Sequence, residues 1–186
     1  MSENNLIDQY LLATPSIKDP LFASSVVYLC DHSADGCMGV VINHPSDQNL
    51  GSLLQQLDIE CPDQNIQALP VFIGGPVNLK QGFVLHSPAS QWENTLQVSP
   101  DCCLTSSRDI LEAIANHAGP ELFLVLLGFS GWSAGQLEQE LQHNAWLTAP
   151  SSIQISFDTD TDRKWQKAFD TLGFKLDTLS PTSGHA

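Results

Sequence analysis

The stretch GWSAGQLEQEL, Gly131 to Leu141, satisfies the G-x-S-x-G pattern of a nucleophile elbow, in which a serine on a sharp strand-to-helix turn attacks an acyl carbon. The surroundings of Ser133 suit that role, with an apolar run before it, glycines around it and a helical pattern after it. Its partners do not. A hydrolase of this kind supplies an acid and then a histidine further along the chain, and the histidines downstream of Ser133 are His143 and His185. His143 would lie roughly 15 Å along the helix that the serine opens, far beyond hydrogen-bond reach, and His185 sits next to the C-terminus. Ser133 with Gln136 also forms a capping box, the serine oxygen accepting the N3 amide while the glutamine reaches back to the cap amide. The helix-start reading needs no base and is preferred. A second enzymatic arrangement would pair Glu138 with His86. Glu138 and Glu140 read more simply as solvated helix acids, and His86 as a hydrogen-bonded structural histidine at a strand end.

Cys30, His32 and Cys37 carry zinc-ligating atoms, but C-x-H-x₄-C matches no structural zinc pattern and has no obvious fourth ligand nearby. Cys102 and Cys103 point to opposite faces of an extended strand and cannot chelate together. DTDTD, Asp158 to Asp162, begins like a calcium loop and then fails, with Arg163 at the sixth position and Phe169 at the twelfth. No metal or cofactor is assigned. The glycine-rich segments Gly74 to Pro76 and Gly128 to Trp132 could present bare amides to an anion. They match neither a P-loop nor a dinucleotide fingerprint, and close packing of backbones is the preferred explanation. Trp132 reads either as one wall of a pocket or as a core plug.

These residues sit in a chain of 186 residues, read as one domain spanning 1–186, with seven Lys and Arg against 21 Asp and Glu and a net charge of −14. Such a surface repels polyanions, so direct nucleic-acid binding is disfavoured without a strong basic patch. The one concentration of bases is Arg163, Lys164, Lys167 and Lys175. Three of these, Arg163, Lys164 and Lys167, follow the acids Asp158, Asp160 and Asp162 along one helical pattern, as a helix dipole prefers. The N-terminus lacks a signal-peptide pattern, and the strongest apolar run, Leu122 to Phe129, is far shorter than the roughly 20 residues of a membrane span. Five scattered cysteines suit a reducing compartment. A cytoplasmic protein without a membrane partner is expected.

The elements that must position these groups follow from periodicity. Ser24–Cys30 and Cys37–Asn43, joined by DHSADG, predict a hairpin. Leu50, Leu53, Leu54 and Leu57 predict a helix, and strands follow at Val71–Ile73, Phe83–His86, Leu96–Val98 and Cys103–Thr105. A helix capped by Ser106 or Ser107 uses Ile110, Leu111 and Ile114 and stops at Gly119-Pro120. Glu121–Phe129 reads as a strand buried on both faces, followed by a helix over Gly135–His143 and a strand over Ile153–Phe157. A last helix, Thr161–Leu172, turns Trp165, Ala168, Phe169 and Leu172 inward and ends at Gly173. Hairpins mixed with helices indicate an α+β fold.

Taken together, DPLFASSVVYLCDH, GCMGVVINHP, VFIGGPV, GFVLHSP, LTSSRDIL, GFSGWSAGQLEQEL, NAWLTAP and the terminal SPTSGHA resemble the YqgE/AlgH family of bacterial proteins along nearly the whole chain. The resemblance implies an α+β fold with a branched β-sheet, part of it closed into a small barrel, surrounded by helices. It implies no established enzymatic activity, and serine is not a defining residue where Ser133 stands. The AlgH name implies a link to transcriptional regulation of an exopolysaccharide pathway. The chain departs from the family at His44 and Gln81, where the family commonly has basic residues, which counts against anion or nucleic-acid binding there. The leading expectation is a non-enzymatic cytoplasmic regulatory or adaptor protein that binds a protein partner or small molecule. Its expected pocket comprises Asn43, His44, Pro45, Gly74, Gly75, Pro76, Gly131 and Trp132. A hydrolase using Ser133 is the alternative, and a direct DNA-binding regulator ranks last on charge.

Overall fold

The computed structural model describes residues 5–89 and 91–173, so Lys175, His185 and the terminal SPTSGHA lie outside the described residues. Its strands are β1 (Gln9–Ala13), β2 (Val26–Ser33), β3 (Gly36–Val41), β4 (Pro45–Asn49), β5 (Pro70–Ile73), β6 (Val77–His86), β7 (Thr95–Ser99), β8 (Cys102–Thr105), β9 (Phe123–Ser133) and β10 (Trp146–Pro150). Its helices are α1 (Leu50–Gln56), α2 (Gln64–Gln67), α3 (Arg108–Ala115), α4 (Gln136–Gln142) and α5 (Lys164–Asp170). The strands form one sheet in the order β10-β1-β2-β3-β9-β6-β8-β7, with β4 and β5 branching from it. The mostly antiparallel sheet curls into a half-barrel, as the α+β reading expects.

The branch lies on β9. One edge of β9 pairs antiparallel with β6 over Phe123–Phe129, while the other pairs parallel with β5 at Val125–Leu127 and antiparallel with β3 at Ser130–Ser133. Where partners change, the backbone of Gly74-Gly75 crosses that of Gly128–Ser130. A Cβ on Gly74 would stand 2.4 Å from the Gly128 carbonyl oxygen, and one on Gly75 would stand 2.2 Å from the Phe129 carbonyl. Gly128 itself adopts a left-handed φ of 73° against the Gly75 carbonyl. Three hydrogen bonds lock the crossing: Val41 N–H to Gly74 O at 2.8 Å, Gly74 N–H to Leu127 O at 2.8 Å, and the buried Ser130 hydroxyl to Gly74 O at 3.1 Å.

Alternation along the strands feeds three apolar clusters. Tyr10, Leu12, Tyr28, Phe83, Leu85 and Leu126 face one core, which Ala168 and Phe169 of α5 close. The intervening residues Val84 and Val125 face α1 and α3, and Leu11, Leu29 and Trp132 face α4. The amphipathic helices predicted from leucine and isoleucine spacing therefore each find a sheet face.

Three local expectations are corrected. Ile153–Phe157 is not a strand, because Gln154–Asp158 forms a π-helical turn. That segment folds over the core, burying Ile155 and placing the Ser156 hydroxyl 2.6 Å from the Tyr10 hydroxyl, which donates to Ser152 O. The last helix starts as a 3₁₀ turn at Thr161–Arg163 and becomes α-helical only from Lys164. Helix α3 stops at Ala115, well before Gly119-Pro120, because His117 takes a left-handed φ of 59° and the Ala118 amide bonds Ala113 O.

Lys164 is the largest departure from the sequence reading, which explained it as one of the bases that follow the acids along the last helix. It is 2 % exposed, its ammonium donates to the Ile42 carbonyl at 2.9 Å, and it sits 5.2 Å from the Phe72 ring centroid. It has no salt-bridging carboxylate among the described residues. Burial pulls its pKa down from 10.5 to about 8. Between those values the unfolded chain keeps a proton that the folded chain has lost, so the burial penalty is relieved as pH rises through that window. Wild type is expected to gain stability relative to Lys164→Met as pH rises from about 8 towards about 10, read from urea midpoints of both proteins. A constant difference would show that Lys164 carries its charge across that range. By the same assay, Gly74→Ala or Gly75→Ala should lose about 3 kcal/mol or more. Gly82→Ala, whose Cβ would meet nothing within 4 Å, should change stability by less than about 1 kcal/mol.

Candidate functional site

The residues expected to share a pocket fall into three groups. Asn43, His44 and Pro45 line an open depression of about 510 Å³ with Pro20, Leu21 and Ile73. Asn43 is itself occupied, its carbonyl oxygen accepting from the Val26 amide and its amide donating to Ser24 O, each at 2.9 Å. Half-burial lowers the pKa of His44, which favours the neutral ring. Gly74 and Gly75 are buried in the strand crossing and line neither depression. Pro76, Gly131 and Trp132 line a second recess of about 340 Å³ with Ile17, Phe22, Gln136, Glu140, Ala145 and Trp146. The loop after β1 separates the two depressions, sending Pro20 and Leu21 to one and Ile17 and Phe22 to the other.

The second recess is built around a carboxylate that the sequence reading left in solvent. Glu140 accepts from the indole N–H of Trp132 at 2.9 Å and from that of Trp146 at 2.7 Å, both through Oε2. Its other oxygen accepts from the Gln136 amide at 3.0 Å. Trp132 and Trp146 meet edge to face at 5.9 Å, and Phe22 meets Trp146 the same way at 5.9 Å. Trp132 is thus both plug and wall, since it is 7 % exposed, belongs to the core cluster under α4, and lines the recess. Periodicity could not pair Glu140 with two tryptophans, because Trp132 and Trp146 come from different strands.

Ser133 has no elbow. Pairing of Gly36 with Ser133 carries β9 through the serine, so the helix cap shifts two residues to Gly135 at a left-handed φ of 78°. Half of the capping box survives. The Ser133 amide donates to the Gln136 side-chain oxygen at 3.0 Å, but the hydroxyl donates to that same oxygen at 3.2 Å instead of accepting an amide. An amide oxygen cannot take a proton from serine as a general base.

Glu138 and His86 are not partners. His86 is buried, and its Nδ1–H donates to Ser87 O at 2.8 Å, because a carbonyl can only accept. Its Nε2 therefore accepts from the Thr105 hydroxyl at 2.7 Å, and burial lowers its pKa, which favours the neutral ring. It is the structural histidine the sequence suggested. Glu138 instead meets His32 Nε2 at 3.0 Å, and that hydrogen bond holds the Glu138 carboxyl below its usual range. The Leu6 amide donates to His32 Nδ1 at 3.2 Å, so the ring proton sits on Nε2 and points at Glu138. His32 pairs directly across the hairpin with Cys37, whose thiol pKa is pushed up to about 11, mainly by burial. Cys30 belongs to the core cluster on the opposite side of the sheet, so the C-x-H-x₄-C trio is not assembled.

A family profile described as AlgH-like matches residues 10–177. The chain belongs to the AlgH-like family. It is 44 % identical to a UPF0301 protein of Dechloromonas aromatica, with all of both chains covered. It is 48 % identical to one of Thioalkalivibrio sulfidiphilus, covering 100 % of this chain and 99 % of that one. The solution structure of the AlgH protein from Pseudomonas aeruginosa superposes with a TM-score of 0.82 at 41 % identity, covering 100 % and 98 % of the two chains. A crystal structure from Corynebacterium diphtheriae, at 21 % identity and a TM-score of 0.72, covers 96 % and 93 % and shares the fold. Among the described residues of this AlgH-like chain, no helix is long and apolar enough to cross a membrane.

The tryptophan clasp makes a direct expectation. Glu140→Ala leaves two indole N–H groups without their acceptor and should lower stability by about 2 kcal/mol or more. Glu140→Gln, which keeps an accepting oxygen, should cost about half of that in the same urea titration.

Proposed function

We propose that this AlgH-like chain is a non-enzymatic regulatory or adaptor protein that captures an uncharged apolar side chain of a partner protein in the Trp132–Trp146 recess. The observation carrying this reading is the recess itself: aromatic and aliphatic walls from Ile17, Phe22, Pro76, Trp132 and Trp146, held in fixed orientation by one carboxylate. Rigid aromatic walls bind at low conformational cost, and a few fixed polar groups at the edge provide orientation. Glu140 has its oxygens occupied by three N–H donors, which favours a neutral guest over a cation. Exposed Val77 follows Pro76 on the rim, and exposed Leu79 lies beyond it, extending the apolar surface outside the recess. The −14 net charge supports a protein partner over nucleic acid.

The test is native purification from the source cells with wild type and with Ile17→Asp, a partly buried loop residue of the recess. Wild type should retain a stoichiometric, nuclease-resistant partner, and Ile17→Asp, checked by its melting curve to be folded, should lose it at least tenfold. A partner held equally by both proteins would reject the recess. A nuclease-sensitive partner would favour nucleic acid instead.

A further inference from the structure

The hairpin turn and helix α4 bring together three donor side chains that the Trp132–Trp146 recess does not use. His32 and Cys37 are direct cross-strand partners on β2 and β3, and Glu138, 101 positions after Cys37, reaches them from the first turn of α4. Their ligating atoms all lie within 4.8 Å of one another, and the imidazole and carboxylate are already 3.0 Å apart. Beside them opens a depression of about 750 Å³, lined by Leu6, His32, Ser33, Glu138, Leu141 and Thr148.

We propose that His32 Nε2, Cys37 Sγ and a Glu138 carboxylate oxygen bind one Zn²⁺ ion, with a fourth position open to this depression. Zinc takes sulfur at about 2.3 Å and nitrogen or oxygen at about 2.0–2.1 Å, so tetrahedral ligand atoms stand about 3.3–3.7 Å apart. The three atoms here need shifts of roughly an ångström or less to reach that arrangement. A thiolate, an imidazole and a carboxylate form a mixed set that suits borderline-soft zinc and not oxygen-seeking calcium or magnesium. The backbone holds the chelate, because the β2–β3 register sets His32 against Cys37 and buried Leu137 anchors the turn of α4 that carries Glu138.

Binding has a defined proton balance. The Cys37 thiol gives its proton to solvent as the S–Zn bond forms, and Glu138 enters as the carboxylate. The imidazole stays neutral, so its single proton moves through solvent from Nε2 to Nδ1 as Nε2 takes the metal. Nδ1–H then faces the Leu6 N–H, two donors opposed, and that contact breaks. Zinc uptake is therefore coupled to release of the Leu6 segment, with about one proton liberated per ion near neutral pH.

The experiment uses the full, untagged chain, stripped with chelator, kept reduced, and titrated with Co²⁺ alone as an optical stand-in and then with Zn²⁺ as competitor. Wild type should give tetrahedral visible bands and a near-ultraviolet thiolate-to-cobalt band that saturate at one ion per chain and vanish as Zn²⁺ displaces Co²⁺. Cys37→Ser should lose the thiolate band. Glu138→Gln, at an exposed helix position, should bind with a loss exceeding the roughly 10–100-fold typical of an outer-shell change. Cys61→Ser, the control for the partly exposed cysteine elsewhere, should match wild type. In amide NMR spectra, the Leu6 signal should shift with Zn²⁺ in wild type and stay fixed in Glu138→Gln. Absence of the thiolate band in wild type, its survival in Cys37→Ser, or undiminished affinity in Glu138→Gln would overturn the site. A Leu6 amide unmoved by bound zinc would overturn the coupling.

Discussion

The close passage of Gly74-Gly75 over Gly128–Ser130 is the constraint on which this architecture rests. A sheet edge ordinarily accepts one partner strand, yet one edge of β9 serves β5 over its first half and β3 over its second. The exchange requires two backbones to pass where no Cβ fits, at approaches of 2.2–2.6 Å to carbonyl atoms. Glycine alone supplies that clearance, and the Val41, Gly74 and Ser130 hydrogen bonds satisfy the polar groups that the crossing buries. The two glycine-rich motifs that could have cradled an anion are thus each other's partners.

Because β9 changes partners, its residues reach all three apolar clusters. Leu126 enters the core closed by α5, Val125 the layer under α1 and α3, and Trp132 the layer under α4. The sheet can then hold helices on several sides, each over its own apolar cluster. It also carries unusual interior polarity. Lys164 donates to the Ile42 carbonyl just beyond β3, fastening α5 to the branch region, and a deprotonated amine could make the same bond. Burying it costs stability while it is charged, which burial of the aliphatic stem and the Phe72 contact partly offset.

Helix α4 gathers both sites considered for function. It is only two turns long, and one buried leucine, Leu137, anchors it, while its polar residues do separate jobs on either side. Glu140 fixes two indoles at the apolar recess, and Glu138 faces His32 across a different depression. Gln136 ties the helix start back to Ser133. The turn sequence that resembles a nucleophile elbow therefore serves to dock this helix.

Much of the fold was legible locally. β-Branched apolar runs identified the hairpin, further strands were placed at Val71, Phe83, Leu96 and Cys103, leucine and isoleucine spacing identified α1 and α3, and ordered motifs identified the family. Errors arose where distant partners decided. Ile153–Phe157 has strand-like composition, but Tyr10 and the core draw it into a π-helical turn. Lys164, Glu138 and Glu140 are charged residues on short helices, for which local rules assign solvent; Lys164 is buried, Glu140 is partly buried and Glu138 is exposed as expected. Each nevertheless meets a partner on another element: Lys164 the Ile42 carbonyl, Glu138 His32, and Glu140 the strand residues Trp132 and Trp146, eight and six positions away. The sequence by itself determined the type of most of the elements it identified and the α+β class, because propensity and periodicity act over a few residues, and its ordered motifs determined the family. Only the tertiary structure decided which glycines cross, which charges are buried and which donors converge, because those depend on contacts between strands and helices that no local pattern encodes.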